Sequence, residues 1–275
     1  MKMIIGGVRC EAGDGSVQEI TNPATHEVID TVPRATRGDM ERTLPLARAG
    51  FKAWSQRPLH RRIEVIFGFE RLFKESREEL VNLSMRETGK TRGLAEGEIR
   101  LATLLIRNFC EAARSLGGET FAPGNQPFVE RDLVLTVREP LGVVVCLLPF
   151  NSPLSLYVQK VIPALLMGNA VIVKPSPYTP LGNIRMTELL LESGVETNAV
   201  QVITGSAPLV GEHIVSSREV DLVSLTGSTE VGIQVARDCA THLHRVSLEL
   251  GGNDALIILE DADLELAVNE ALAGR

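Results

Sequence analysis

From residue 141 onward, short unbroken apolar runs alternate with helically spaced ones. Residues 142–148, 170–173, 200–203 and 222–225 read as strands, and 153–166, 181–191 and 209–215 as helices between them. A further helix and a further strand lie between Leu225 and Gly251. Strands that are apolar at every position are covered on both faces, so this alternation predicts an α/β fold with a five-stranded parallel, Rossmann-like sheet. Ligands in such sheets bind beyond the carboxyl ends of the strands.

The first 140 residues follow a different period. Residues 1–35 read as short strands and turns, punctuated by Pro23 and Pro33. Met40, Leu44, Ala47 and Phe51 recur at three or four, predicting a helix over 39–54 that Pro45 should kink or shorten. Ile63, Ile66, Phe69, Leu72, Phe73, Leu80 and Leu83 give a helical pattern over 59–87, and a second amphipathic run spans 94–116. The charges on both runs read as solvated faces, and Gly117-Gly118 ends the helical region. Over 123–140 a turn at Pro123-Gly124-Asn125 precedes 132–138, which alternates like an exposed strand. At the other end, 255–259 reads as an apolar strand, Asp261 or Asp263 as a cap, and 264–272 as a helix.

Composition narrows the function classes. A chain of 275 residues allows one large domain or two small ones, and 44% hydrophobic content fits a globular protein. A net charge of −7 argues against nucleic acid or an anionic membrane surface as partner. No apolar run approaches the roughly 18 residues of a membrane span, and the N-terminal apolar stretch is too short for a secretory signal, so the expected location is the cytoplasm. Cys10, Cys110, Cys146 and Cys239 are scattered without ligand spacing, and His242 and His244 have no third ligand near in sequence, so no metal site is expected.

The most informative stretch is 221–253. It reads as a strand, the turn Thr226-Gly227-Ser228-Thr229 with a hydroxyl cap, a helix, and a strand ending in Glu249-Leu250-Gly251-Gly252. A helix N-terminus after such a turn offers free N–H groups to an anion. The spacing Gly227-x-Thr229-x-x-Gly232 is one residue away from the dinucleotide fingerprint, so a pyrophosphate turn and an ordinary βα turn both fit it.

Taken together, P-F-N-S-P-L, V-I-V-K-P-S-P, L-T-G-S-T-E-V-G and S-L-E-L-G-G-N resemble, in order, the motifs of the aldehyde dehydrogenase superfamily, and N-P-A-T-H-E-V-I at 22–29 extends the match toward the N-terminus. The resemblance implies that residues 1–253 form an NAD(P)-binding domain, that the hairpin at about 123–140 builds an oligomer, and that 254–275 open a second, catalytic domain. It further implies that the sequence stops before the family's nucleophilic cysteine, leaving the cofactor half.

Residue by residue, the resemblance makes Asn151 the oxyanion donor, although an Asn before a helix also fits a cap. It makes Glu249 the general base, with a pKa raised by its apolar strand. Lys174 matches the lysine that bonds the adenosine ribose, followed by Ser176 and Pro177. Many NAD-preferring members carry a glutamate at the Pro177 position, so its absence implies tolerance of NADP. Gly205 matches the residue under the adenine, Thr226, Gly227 and Ser228 the pyrophosphate turn, and Leu250 and Gly251 the neighbours of the nicotinamide. The expected function is that of the cofactor-binding portion of an aldehyde dehydrogenase, inactive alone, with a small-molecule aldehyde as substrate. The expected partner is a second copy of the chain or a complementing catalytic half. A nucleotide-binding pseudoenzyme or a structural partner in a mixed oligomer is the alternative.

Overall fold

The computed structural model describes residues 1–124 and 127–274. Five parallel strands form the centre of the sheet: β7 (Val143–Leu147), β8 (Ala170–Lys174), β9 (Val200–Val202), β10 (Leu222–Thr226) and β11 (Arg245–Glu249). Two N-terminal strands, β1 (Met3–Ile5) and β2 (Val8–Cys10), extend it antiparallel beyond β9, giving seven strands in the order β11-β10-β7-β8-β9-β1-β2. A separate pair, β3 (Val17–Thr21) and β4 (Val28–Pro33), lies outside this sheet.

Helices cover both faces. Helix α1 (Arg37–Ser55) opens with a capping box in which the Thr36 hydroxyl accepts from the Asp39 N–H and the Asp39 carboxylate accepts from the Thr36 N–H. It runs through Pro45 without interruption, contrary to the shortening expected from the sequence. An interior proline costs about 3 kcal/mol. Against that, α1 buries Met40, Leu44, Ala47 and Trp54, each large apolar side chain contributing about 1.5–3 kcal/mol. Its approach to the sheet is close enough that a Cβ on Gly50 would stand 2.2 Å from the Asn198 carbonyl carbon.

The 59–87 pattern resolves into α2 (Leu59–Glu75) and α3 (Arg77–Thr88), divided at Ser76; Gly89, in left-handed conformation, ends α3. Helix α4 (Arg92–Ser115) follows and packs on α5 (Pro153–Leu166), while α6 (Leu181–Glu192) packs on α2. A short α7 (Ala207–Val210) runs into a π-helical turn, Gly211–Val215, and α8 (Thr229–Ala240) bridges β10 and β11.

Two expected strands shrink. Among the described residues of 123–140 only β6 (Val134–Leu135) is extended and paired, with β5 (Thr120–Phe121); Asn125 of the expected turn lies outside the described residues. Residues 255–259 form no strand: Leu256, Ile257, Ile258 and Leu259 are exposed, because an apolar run becomes a strand only where another strand accepts its backbone. After it, Asp263 caps α9 (Leu264–Ala273), which buries no residue.

Candidate active site

Four loops leave the carboxyl ends of the parallel strands on one side of the sheet. The first follows β7 into α5, whose opening residue, Pro153, has no N–H to leave unsatisfied. The next two N–H groups, of Leu154 and Ser155, donate to Glu98 Oε1 at 2.8 and 3.1 Å. Glu98 is buried, and its other oxygen holds the Lys90 ammonium at 2.5 Å; Lys90 also reaches Ser152 Oγ at 3.5 Å. Asn151 stands one residue before the cap position, exposed and without a hydrogen bond among the described residues. The cap alternative for Asn151 therefore fails, since Ser152 occupies that position and Glu98 does the capping.

The second loop follows β8. Lys174 is buried, its Nζ donates to the Pro175 carbonyl at 2.9 Å, and burial pushes its pKa down to about 8. Ser176 Oγ accepts the Tyr178 N–H, while Gln18 of β3 donates to the Pro177 carbonyl at 2.7 Å and pins the loop from outside. At the start of α6, Glu87 accepts the N–H groups of Leu181 and Gly182 at 2.8 and 2.9 Å. Burial raises Glu87 to about 8, against those two donors and with Glu98 adding to the rise. The Asn183 amide donates to the Pro153 carbonyl at 2.8 Å, tying the starts of α5 and α6 together. Both acids sit in stretches that read as solvated faces in the sequence, because their N–H partners lie 56 to 95 residues away.

The third loop carries Gly205, with a φ of +129°; the Ala35 N–H donates to the neighbouring Thr204 carbonyl at 2.9 Å, and a Cβ on Gly205 would stand 3.0 Å from the Ala35 nitrogen. The fourth joins β10 to α8. Ser228 caps α8 by accepting the Val231 N–H at 3.3 Å, and the Gly227 N–H donates to the Glu249 carbonyl at 3.0 Å. Gly232 packs closely on β11: a Cβ there would come within 2.5 Å of the Leu250 Cδ2 and push that side chain aside. This is the role of a third fingerprint glycine, close helix-to-strand contact.

A cleft of about 940 Å³ opens between these loops. Lys174, Ser176, Pro177, Thr226, Gly227 and Ser228 line it, together with Phe150 and an apolar floor that includes Val210, Val215 and Val235. Phe150 meets Tyr178 edge to face at 6.3 Å, an aromatic pair with no periodic signal in the sequence. Asn151, Gly205, Glu249, Leu250 and Gly251 are not among the lining residues.

Glu249 is nevertheless joined to the cleft. Its Oε2 accepts the Thr226 hydroxyl at 2.6 Å and lies 3.5 Å from Lys160 Nζ, which also donates to Ser224 Oγ at 3.2 Å. The Thr226 hydrogen bond, with the Lys160 ammonium, holds Glu249 below the usual carboxylate range against partial burial. The raised pKa expected from an apolar strand is thus reversed: β11 is an edge strand, half of the Glu249 side chain faces solvent, and a cation stands beside it. Lys160, buried on α5, carries no sequence signal that separates it from an ordinary helix lysine.

No cysteine lines the cleft. Burial pushes Cys110 and Cys239 up to about 11 and Cys146 up to about 12, so none of these three is a thiolate near neutrality. Among the described residues, no group of three or more His, Cys, Asp or Glu could hold a metal ion, and no helix is long and apolar enough to cross a membrane.

An open α/β sheet with a capped glycine turn, a buried lysine and a cleft at the carboxyl ends of its strands defines a nucleotide-cleft architecture. Within that class the chain belongs to the aldehyde dehydrogenase family, whose model matches residues 10–275. It is 35% identical over 271 residues to a glutarate-semialdehyde dehydrogenase of Pseudomonas putida, covering 98% of this chain and 56% of that protein. It is 34% identical to a succinate-semialdehyde dehydrogenase [NADP(+)] of Escherichia coli, over 99% of this chain and 56% of that one. A betaine aldehyde dehydrogenase of Staphylococcus aureus, solved in complex with NAD+, superposes with a TM-score of 0.94 at 36% identity, over 99% of this chain and 55% of that one. The chain thus spans about half the length of the relatives it matches.

Proposed function

We propose that residues 1–253 form the NAD(P)-binding portion of an aldehyde dehydrogenase and that the 940 Å³ cleft holds the dinucleotide. The observation that carries this reading is the convergence of Lys174, Ser176 and the Thr226–Ser228 turn on one cleft with an apolar floor. Lys174 bonds the adenosine ribose, the α8 N-terminus faces the pyrophosphate, and Val210, Val215 and Val235 flank the adenine. When bound, the dinucleotide supplies the hydride acceptor. Asn151, with no hydrogen bond among the described residues, donates to the developing oxyanion, and Glu249, kept ionised by Thr226 and Lys160, takes a proton from water. Leu250 and Gly251 border the nicotinamide, and Gly205 supports the adenine side from the N-terminal segment. The thiol nucleophile is not supplied by this chain's own cleft, so residues 254–275 are read as the opening of a catalytic domain and the substrate as a small aldehyde.

Two partners fit. Leu133, Val134, Leu135 and Val137 are exposed on the hairpin, which favours pairing with a second copy. The exposed apolar run at 256–259 favours a catalytic half as the second partner.

Calorimetric titration with NAD and NADP tests the cleft. Pro177 leaves no carboxylate to repel a 2′-phosphate, so NADP is expected to bind no more weakly than NAD. A preference for NAD of tenfold, about 1.4 kcal/mol, overturns the Pro177 argument. Failure of both to bind overturns the cleft assignment. The 275-residue chain alone is expected to oxidise no aldehyde. Activity that appears on co-expression with a fragment bearing the family's cysteine, and is lost in Glu249→Gln, supports the reading; turnover by the chain alone refutes it.

A further inference from the structure

A second cleft, of about 590 Å³, opens at the opposite, amino ends of β10 and β11. It is lined by Arg218, Asp221, His242, Leu243, His244 and Arg245 among others. Asp221, just before β10, lines this cleft and Thr226, at the end of β10, lines the first, so the two clefts are separated by roughly 16 Å of strand.

In a chain of net charge −7 this cleft gathers two arginines and two histidines. The one carboxylate among its lining residues is already engaged: Asp221 accepts the Val143 N–H at 2.7 Å and pairs with Arg48 at 2.8 Å. Arg218 and Arg245 have no ion-pair partner among the described residues, whereas Arg48, Arg92 and Arg185 all do. The negative end of α8 is closed as well. The carbonyls of Asp238, Cys239 and Ala240 take up the N–H groups of Thr241, His242, Leu243 and His244. Leu243 makes that closure possible by adopting a left-handed φ of 59°, a helix-end position glycine usually fills, and its side chain stays 90% exposed. The turn it fixes brings the rings of His242 and His244 to 5.6 Å and sets Arg245 directly after them.

We propose that this cleft is a binding site for a small phosphate-type dianion, gripped by Arg218 and Arg245 and flanked by the His242 and His244 rings. Guanidinium groups suit such a ligand because their N–H forks match its oxygens two at a time. The histidines add a proton-linked component. His244 Nδ1 lies 3.1 Å from the Val215 carbonyl, leaving Nε2 free to face a ligand. Burial, with His242 beside it, depresses the His244 pKa, while the Val215 carbonyl and Asp221 oppose that shift. Arg218 and Arg245 line the same cleft, and Arg48 with its second partner Glu219 lies beside Asp221. A dianion between the rings reverses the balance, so binding takes up protons near neutrality.

The test is a titration of the full chain with inorganic phosphate at constant ionic strength, followed by the histidine ring resonances. Both His242 and His244 are expected to shift saturably, and Arg218→Ala and Arg245→Ala each to weaken binding by about tenfold or more. Both arginines are exposed, so the variants keep the parent's melting temperature; Arg131→Ala, a hairpin arginine, leaves the titration unchanged. Calorimetry in two buffers of different ionisation heat reads the proton uptake. A parallel arm with phenyl phosphate separates the sources: tighter binding than inorganic phosphate identifies a phosphate monoester, equal binding the free ion. Shifts reproduced by potassium chloride, or arginine variants that titrate like the parent, overturn the proposal.

Discussion

Strands β8 and β11 are both parallel, both five residues long and both end on a titratable residue, yet they present opposite environments. Every residue of β8 is buried between two neighbouring strands and two helical layers, and burial drives the Lys174 ammonium toward neutrality. Strand β11 pairs on one side only, its residues are largely exposed, and Glu249 is stabilised as the anion by Thr226 and Lys160. An apolar run thus tells where a strand forms, but its second neighbour decides the chemistry at its end.

The largest expected break in this comparison comes from the acid that caps α5. Glu98→Leu orphans the N–H groups of Leu154 and Ser155 and strips Lys90 of its carboxylate, so unfolding by urea should show a loss of roughly 3–5 kcal/mol. The same change at Glu249, on the open side of the sheet, should cost below about 1 kcal/mol. Equal losses at the two positions would mean that the β11 side is as tightly built as the β8 side.

A smaller effect separates two buried groups by pH. The Glu87 pKa is raised from 4.5 to about 8, so the folded state holds a proton the unfolded state has lost, and its contribution to stability falls as pH rises across that window. Lys174 is lowered from 10.5 to about 8, so its charged form is penalised below about 8 and stability recovers as pH climbs toward 10.5. Denaturant midpoints measured across this range should pass through a dip near the shared value, up to a few kcal/mol deep. Glu87→Gln should flatten the acid limb and Lys174→Met the alkaline one. A Glu87→Gln profile parallel to the parent's below the dip would show that Glu87 stays ionised beneath its two N–H donors.

Much of this arrangement is legible in the sequence. The apolar runs mark four of the five parallel strands, and the hydroxyl-bearing turn Thr226–Thr229 marks the start of α8, because both signals are local. The placement of Lys174 and the Thr226–Ser228 turn at one sheet end follows from the parallel alternation, since each stands at the carboxyl end of its strand. What escaped depends on contacts remote in sequence. Glu87 and Glu98 sit on amphipathic helices where a buried acid and a solvated one share the same period. Lys160 becomes a partner of Glu249 only because α5, packed on β7 and β8, lets its long side chain reach Ser224 of β10 and the end of β11. The run at 256–259 has strand composition without a strand to pair with, and the direction of the Glu249 shift was misread for the same reason.

The finest test acts on that last point. Thr226 donates to Glu249 Oε2 at 2.6 Å, and Thr226→Val removes the hydroxyl while keeping the shape of the side chain. Its cost in stability should stay under about 1 kcal/mol, since the pair is exposed and water replaces the donor. The Glu249 carboxyl carbon, followed by NMR, should titrate at higher pH than in the parent, because the largest influence holding it down is gone. Lys160→Met should move it the same way, as Lys160 also holds the carboxylate down through its charge and its 3.5 Å contact. A general base works best when its pKa approaches the operating pH, so a carboxylate held this low is fully ionised but weak. Excluding water from Glu249 opposes that hold, which makes β11's open side the place where its basicity is set. A Glu249 titration unmoved in both variants would place the control elsewhere, in the solvent exposure of the strand itself.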